Sequence, residues 1–241
     1  MSTSNTESKE EKKPQDGTWD LVVMGAGSGG LASAKRAASY GAKVCIIEHG
    51  PLGGTCVNVG CVPKKVMWYT ATHAEQIKHD LVDYGFPVQQ NGPFDWPALK
   101  KKRDAYILRL NGIYARGLTS RGVTTFYGHS TLLSPTTVAV AHTDGTTTVQ
   151  TGKHILIATG GKPNIIDSFK GKDLIIDSDG FFQLDKQPKR AAVIGAGYIA
   201  VEMAQIFASL GTKTDVIVRH GKPLRAFDDM VSDTLMEIFE K

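Results

Sequence analysis

Cys56 and Cys61 stand five residues apart in the segment GGTCVNVGCVPKK, residues 53–65. The chain has only 3 cysteines, too few for a disulfide scaffold, so a close pair points to redox or metal chemistry. Metal ligation has poor support, because His49 and His73 lack ligand-like spacing around the pair. Cys45 lies in a β-type apolar run and reads as a buried structural thiol. Residues five apart on a regular helix point about 140° away from each other. Joining Cys56 to Cys61 therefore needs a distorted turn, for which Gly60 and Pro63 are suitable residues. A thiol pair placed just after a nucleotide-binding unit suits electron transfer from a flavin to a disulfide.

Such chemistry needs elements that hold its cofactors, and one supersecondary unit occurs twice. In the first copy, residues 20–24 form a short apolar strand that feeds Gly25, Gly27, Ser28, Gly29 and Gly30. A helix follows to about Tyr40, Gly41 stops it, and residues 43–48 form a second strand ending in Glu48. In the second copy, residues 190–194 feed Gly195, Gly197, Tyr198, Ile199 and Ala200. A helix runs to about Leu210, then come Gly211 and the strand 213–218. The first glycine of each permits a tight turn and the second lets backbone approach a pyrophosphate; the third, or Ala200, lets helix and strand pack closely. The pyrophosphate would rest on the helix N-terminus.

The strand ends distinguish the two cofactors. Glu48 is placed to accept hydrogen bonds from an adenosine ribose, the plainer alternative being a solvated carboxylate. The second copy has Val218 there, followed by Arg219, His220, Lys222 and Arg225. Guanidinium groups grip a 2′-phosphate bidentately, which suggests NADPH, with a surface basic cluster as the alternative. The first copy then reads as the FAD unit because the thiol pair follows it.

The remaining segments fill out an α/β chain. Residues 1–17 are polar and charged and read as a disordered tail. Glu7, Glu10 and Glu11 argue against a mitochondrial presequence, and no apolar stretch suits a secretory signal. Leu99, Tyr106, Ile107, Leu110, Ile113, Tyr114 and Leu118 predict an amphipathic helix over 96–120, with Lys100, Lys101, Lys102 and Arg103 on its wet face. Segments 123–127, 130–133, 136–141 and 146–150, then an apolar strand at 154–158, predict a small antiparallel meander packed on the first unit. The domain division expected is an FAD-binding domain with the redox disulfide over 18–162 and a partial NADPH-binding domain over 163–241. Hydrophobic residues at 41% are enough for a real core, and the net charge of +4 is scattered, giving no support for nucleic-acid binding. No run of about 18 apolar residues occurs to span a membrane. Cytoplasm is the expected compartment, with a mitochondrial form as an alternative.

The segment GGTCVNVGCVPKK, preceded by GAGSGGLASA and followed by VMW, closely resembles the redox segment of the glutathione reductases within the class I pyridine nucleotide-disulfide oxidoreductases. RDAYILRLNGIY, YGHSTL, HILIATGGKP, GAGYIAVEMA and IVRHGKPLRAFD match in the same order, so the resemblance covers about residues 18–241. It implies two Rossmann-like units, NADPH-dependent reduction of glutathione disulfide through FAD, and a homodimer. It implies Cys56 as the exchange thiol and Cys61 as the thiol against the flavin, a charge-transfer thiolate when reduced. Lys64 would lie near the flavin, paired with Glu202, and Tyr198 would gate the nicotinamide pocket. Gly25, Gly27, Ser28, Gly29, Gly30, Glu48, Gly54, Thr55, Cys56, Lys64, His129 and Thr159 resemble FAD contacts. Gly195, Gly197, Tyr198, Ile199, Glu202, Arg219 and Arg225 resemble NADPH contacts, and Ser28, Lys35 and Tyr114 glutathione contacts.

Two departures shape the expectation. Lys35 stands where the family usually has Arg, which keeps the charge and loses the planar fork. The sequence also stops at Lys241 inside an expected helix, 228–241, so the resemblance implies C-terminal truncation. Such a chain would lack the catalytic His–Glu pair and the interface domain, and would be inactive and aggregation-prone alone. The alternatives are a thioredoxin reductase-like enzyme and a non-catalytic FAD/NADPH-binding fragment; dihydrolipoamide dehydrogenase fits the arginine cluster less well.

Overall fold

The computed structural model describes residues 15–88, 92–164 and 170–239. The chain is of mixed α/β class, as expected, and forms two compact units interleaved in sequence. One comprises Met1–Gly54 and Asn111–Gly160, the other Thr55–Leu110 and Gly161–Lys241.

The first unit contains β1 (Gly17–Met24), α1 (Ser28–Ser39), β2 (Val44–Glu48), β3 (Thr124–Ser134), β4 (Thr137–His142) and β5 (Thr147–Ile157). Each strand bonds to the next and β5 returns to β1, closing the ring. The β1–β2, β2–β3 and β1–β5 pairs are parallel, while β3–β4 and β4–β5 are antiparallel. Both faces of β1 and β2 are covered. Val23, Val44 and Ile46 pack with Leu31, Ala34 and Leu118, while Val22, Cys45 and Ile47 pack with Val138 and Val140. Burial on both faces is why these strands read as continuous apolar runs rather than alternating ones.

The meander differs from expectation in its divisions. Of the expected segments, 124–127 and 130–133 lie in the single strand β3, and 147–150 continues into the apolar 154–157 as β5. One strand serves two ladders, with Val138 opposite Gln150 in β4–β5 and Val23 opposite Leu156 in β1–β5, so no turn intervenes. The expected tail falls on residues 1–14, outside the described residues, and on three that are held. Gln15 O accepts from Gln150 at 3.0 Å, Asp16 accepts from Val149 N at 2.7 Å, and Gly17 begins β1.

The second unit is mainly helical. α2 (Gly54–Asn58) leads from the first unit into α3 (Cys61–Glu75), a π-helical turn (Gln76–Asp80) and α4 (Leu81–Asp83). α5 (Trp96–Thr119) is the expected long helix; its residues up to Leu110 belong here and the rest to the first unit. Then come α6 (Ser178–Gln183), β6 (Arg190–Ile194), α7 (Tyr198–Ser209), β7 (Lys213–Ile217) and α8 (Asp229–Phe239), with β6 and β7 parallel. The core is aromatic: Trp96 stacks on Phe207 at 5.9 Å, and Phe181 meets Phe207 edge-on at 4.8 Å. Met67 and Ala71 of α3 join Met203 and Ile206 of α7 in that core. Among the described residues no helix is long and apolar enough to cross a membrane.

Candidate functional site

In the first unit β1 hands the chain to α1 through Gly25, whose φ is +98°. A Cβ on Gly25 would lie 2.4 Å from Ala158 O and 3.0 Å from Thr159 Cα, and one on Gly30 would lie 1.9 Å from Gly25 O. The turn is therefore closed to side chains at both positions. Gly27 caps α1 without a side-chain hydrogen bond, and no acid sits in the first turn. No side chain caps those N-terminal amides, the arrangement that receives phosphate. Gly53 N donates to Ala26 O at 2.9 Å, and a Cβ on Gly54 would lie 2.8 Å from Gly27 Cα.

Glu48 closes this cradle. It is 7% exposed, and its two oxygens accept Ala26 N at 2.7 Å and Gly50 N at 2.8 Å. The sequence offered a ribose acceptor or a solvated carboxylate; the side chain is buried against two backbone amides, and each oxygen retains acceptor capacity. His49 lies 3.3 Å from Glu48, and its ring is 5.9 Å from that of His129. The fold thus gathers Gly25, Gly27, Gly30, Glu48, Gly54 and Thr159, with exposed His129 at the edge. Ser28 and Lys35 lie two turns apart on one face of α1, and Lys35 Nζ stands 5.6 Å from the Tyr114 ring.

The second glycine turn repeats this bonding within its own unit. Gly195 N donates to Ile217 O at 3.0 Å, as Gly25 N does to Ile47 O at 2.8 Å. Gly197 caps α7 with no side-chain bond and no acid in the first turn. Gly195 has φ +142°, and a Cβ there would meet Ala200 Cβ at 3.5 Å, ordinary contact. At its first glycine this turn is looser than the other, and Ala200 stands where the first copy has Gly30. Tyr198 and Ile199 open α7 and are exposed. Beyond β7, Arg219, His220 and Arg225 are exposed, and Arg219 Nε donates to His220 Nε2 at 3.1 Å. The charge of Arg225, then burial, then Arg219 hold His220 below its ordinary value. Lys222 is diverted from this group: it pairs with Asp229 and Asp233, each at 2.8 Å.

From Thr55 on, the thiol segment lies in the second unit, as α2 and the start of α3 broken at Gly60. Val59 N donates to Thr55 O at 2.9 Å at the end of α2, and α3 begins at Cys61. A Cβ on Gly60 would lie 2.8 Å from Thr55 O and 3.1 Å from Cys56 Cα. The break is thus a close approach of backbone to the Cys56 turn that only glycine permits. Pro63 fits in the first turn of α3, where its missing N–H costs nothing. Cys56 is half-buried and Cys61 exposed, whereas Cys45 is buried and its thiol is pushed up to about 12 by that burial. A helix N-terminus favours negative charge, and Cys61 is the first residue of α3. One turn on, Lys64 Nζ donates to Glu202 Oε1 of α7 at 2.5 Å. A cavity of about 530 Å³ opens beside Cys61, lined among others by Lys65, Tyr69, Lys102 and Tyr106.

Arg103 corrects the wet-face expectation for α5. It is 2% exposed; its guanidinium donates to Phe182 O at 2.6 Å, to Asp104 at 2.7 Å and to Met67 Sδ at 3.2 Å. It joins α5 to α3 and α6. The signal was present, because Leu99, Arg103 and Ile107 follow one another at helical spacing on the stripe that turns inward. Asn111, which donates to Leu52 O at 2.7 Å and so braces the loop before Gly53, was not singled out, although it lies in the matched segment RDAYILRLNGIY.

Comparison with known proteins is in line with this geometry. Residues 19–241 match the family model described as pyridine nucleotide-disulphide oxidoreductase. The chain is 53% identical to a glutathione reductase of Schizosaccharomyces pombe over 229 residues, 94% of this chain and 49% of that protein. Glutathione reductases of Yarrowia lipolytica and Debaryomyces hansenii are 50% and 44% identical, each alignment covering 92% of this chain and 49% of the relative. The chain spans about half the length of these curated relatives. Since the family match runs through both glycine turns and the thiol segment between them, the chain belongs to the pyridine nucleotide-disulphide oxidoreductase family.

Proposed function

We propose that the protein reduces glutathione disulfide with NADPH, through FAD and a Cys56–Cys61 redox disulfide, in glutathione and redox homeostasis. The observation that carries the reading is the thiol segment: Cys61 opens α3, and Lys64 on the next turn pairs with Glu202 of the helix that rises from the second glycine turn. The relatives named glutathione reductase support the substrate. The finer architecture we propose is two Rossmann-like units, an FAD-binding domain over 18–162 and an NADPH-binding domain over 163–241.

The residues fit both cofactors. Side chains at Gly25 and Gly30 would collide with backbone in the first turn, leaving the α1 amides for the FAD pyrophosphate. The α7 amides take the NADPH pyrophosphate, and Arg219 and Arg225 its 2′-phosphate. The first glycine turn would hold FAD, whose chemistry would be two-electron transfer between NADPH and the Cys56–Cys61 disulfide. The Cys56 thiolate then attacks one sulfur of glutathione disulfide, and the first glutathione leaves as its thiolate. Cys61 attacks the Cys56 sulfur of the resulting mixed disulfide, expels the second glutathione and restores the protein disulfide. Lys35, held over Tyr114, supplies a cation for a glutathione carboxylate. A homodimer and a cytoplasmic location belong to the same proposal.

The test is NADPH oxidation by the protein purified from its source with flavin bound; residues 1–241 expressed alone, about half the length of the relatives, are expected to show no turnover. Turnover with glutathione disulfide, its loss on Cys56→Ser and Cys61→Ser, and weak use of NADH are expected. Turnover with a protein disulfide but none with glutathione disulfide would overturn the substrate.

A further inference from the structure

The segment that joins β7 to α8 is held at two adjacent residues from two directions. Pro223 is buried, and its carbonyl accepts a hydrogen bond from Ser232 Oγ, itself 0% exposed on α8. Leu224 has φ +55°, the positive value found at no other non-glycine among the described residues. A branched side chain keeps that conformation only when its surroundings impose it. Its amide donates at 2.8 Å to Ala196 O, the middle residue of the second glycine turn. Phe227 N then returns to Leu224 O at 2.8 Å.

A serine inside a helix ordinarily bonds back to its own preceding turn. Ser232 instead reaches Pro223, nine residues earlier. The other link from α8, Lys222 to Asp229 and Asp233, joins side chains that are 33%, 89% and 63% exposed, and such pairs hold little. Ser232 is therefore the anchor on that side. Arg225 follows Leu224 directly, so the backbone that carries it is fixed by these two bonds.

We propose that Ser232 is a positioning residue for 2′-phosphate recognition: through Pro223 it keeps Leu224 on the glycine turn and Arg225 on the side of the α7 N-terminus. This rests on the NADPH reading and deepens it. Without the hydroxyl, Pro223 O is left buried and unpaired, Leu224 relaxes towards negative φ, and Arg225 leaves its place. Recognition of the 2′-phosphate weakens, while the adenine, ribose and pyrophosphate contacts remain.

The experiment measures binding of 2′,5′-ADP and of 5′-ADP to the flavin-loaded protein and to Ser232→Ala. The expected result is about tenfold weaker binding of 2′,5′-ADP, the equivalent of one lost hydrogen bond, with 5′-ADP unchanged. A merely structural role would weaken both probes alike, and that outcome overturns the proposal, as does no change in either. Leu224→Val attacks the same hold from the other end without touching Ser232, because a β-branched residue resists φ +55°. It is expected to reproduce the selective loss, and unaltered selectivity in it counts against the proposal even if Ser232→Ala does not fold. Equal affinity of the unsubstituted protein for the two probes overturns the NADPH reading itself.

Discussion

The ion pair of Lys64 with Glu202 links the helix that starts at Cys61 to the helix that starts at the second glycine turn, at 2.5 Å. Both side chains are partly exposed, so the pair adds little to stability, and the proposed function gives it a role near the flavin. Glu202→Gln keeps the shape and removes the charge. It should lower turnover roughly ten- to hundredfold, the scale of a charge-assisted hydrogen bond, with little change in melting temperature. Steady-state kinetics and thermal unfolding measured together check this. Asp104 behaves differently. Burial acts to raise its carboxyl, but hydrogen bonds from Lys100 and Arg103 prevail and hold it below 3.8. The stability it contributes is in place above about pH 4 and is lost as the pH falls through its lowered folded value. Asp104→Asn should lose less stability than the parent on acidification below about pH 4, as read by urea unfolding. At this scale the sequence exposed the cysteines and glycines, whose types alone carry meaning. Arg103 was misread because charge was given precedence over its place on the apolar stripe. Arg103→Met should cost roughly 2–3 kcal/mol in denaturant unfolding, since Phe182 O loses a charged donor in a buried setting.

The two glycine turns were legible as strand, turn, helix and strand because local geometry dictates them. α1 and α7 each begin directly after the second glycine of their turn. What spacing could not give is the difference in tightness between them. A Cβ on Gly30 would meet a carbonyl at 1.9 Å, while one on Gly195 would meet only Ala200 Cβ, at 3.5 Å. Gly30→Ala should therefore abolish flavin retention and cost about 1–3 kcal/mol or more through overpacking. The converse Ala200→Gly should keep NADPH binding and lose only about 1 kcal/mol of helix propensity. Flavin content after gel filtration and NADPH titration distinguish the two. β3 and β5 were read as broken segments because turn-like residues such as Gly128 and Gly152 fall inside them. Pairing with distant strands, β5 with both β1 and β4, overrides that local signal.

At the scale of the molecule, the thiol segment belongs to the compact unit that also holds the second glycine turn, although the sequence places it directly after the first. That grouping depends on α3 packing against α7 through Met67, Ala71, Met203 and Ile206, a contact between distant residues that no local pattern announces. On the proposed function, NADPH opens a Cys56–Cys61 disulfide. Differential alkylation of the oxidised flavoprotein, read by peptide mass spectrometry before and after NADPH, tests it most directly. Cys56 and Cys61 should be protected until NADPH is added and then both react, NADH should expose them far more slowly, and buried Cys45 should stay unmodified throughout. Equal labelling of Cys56 and Cys61 with and without NADPH would contradict it.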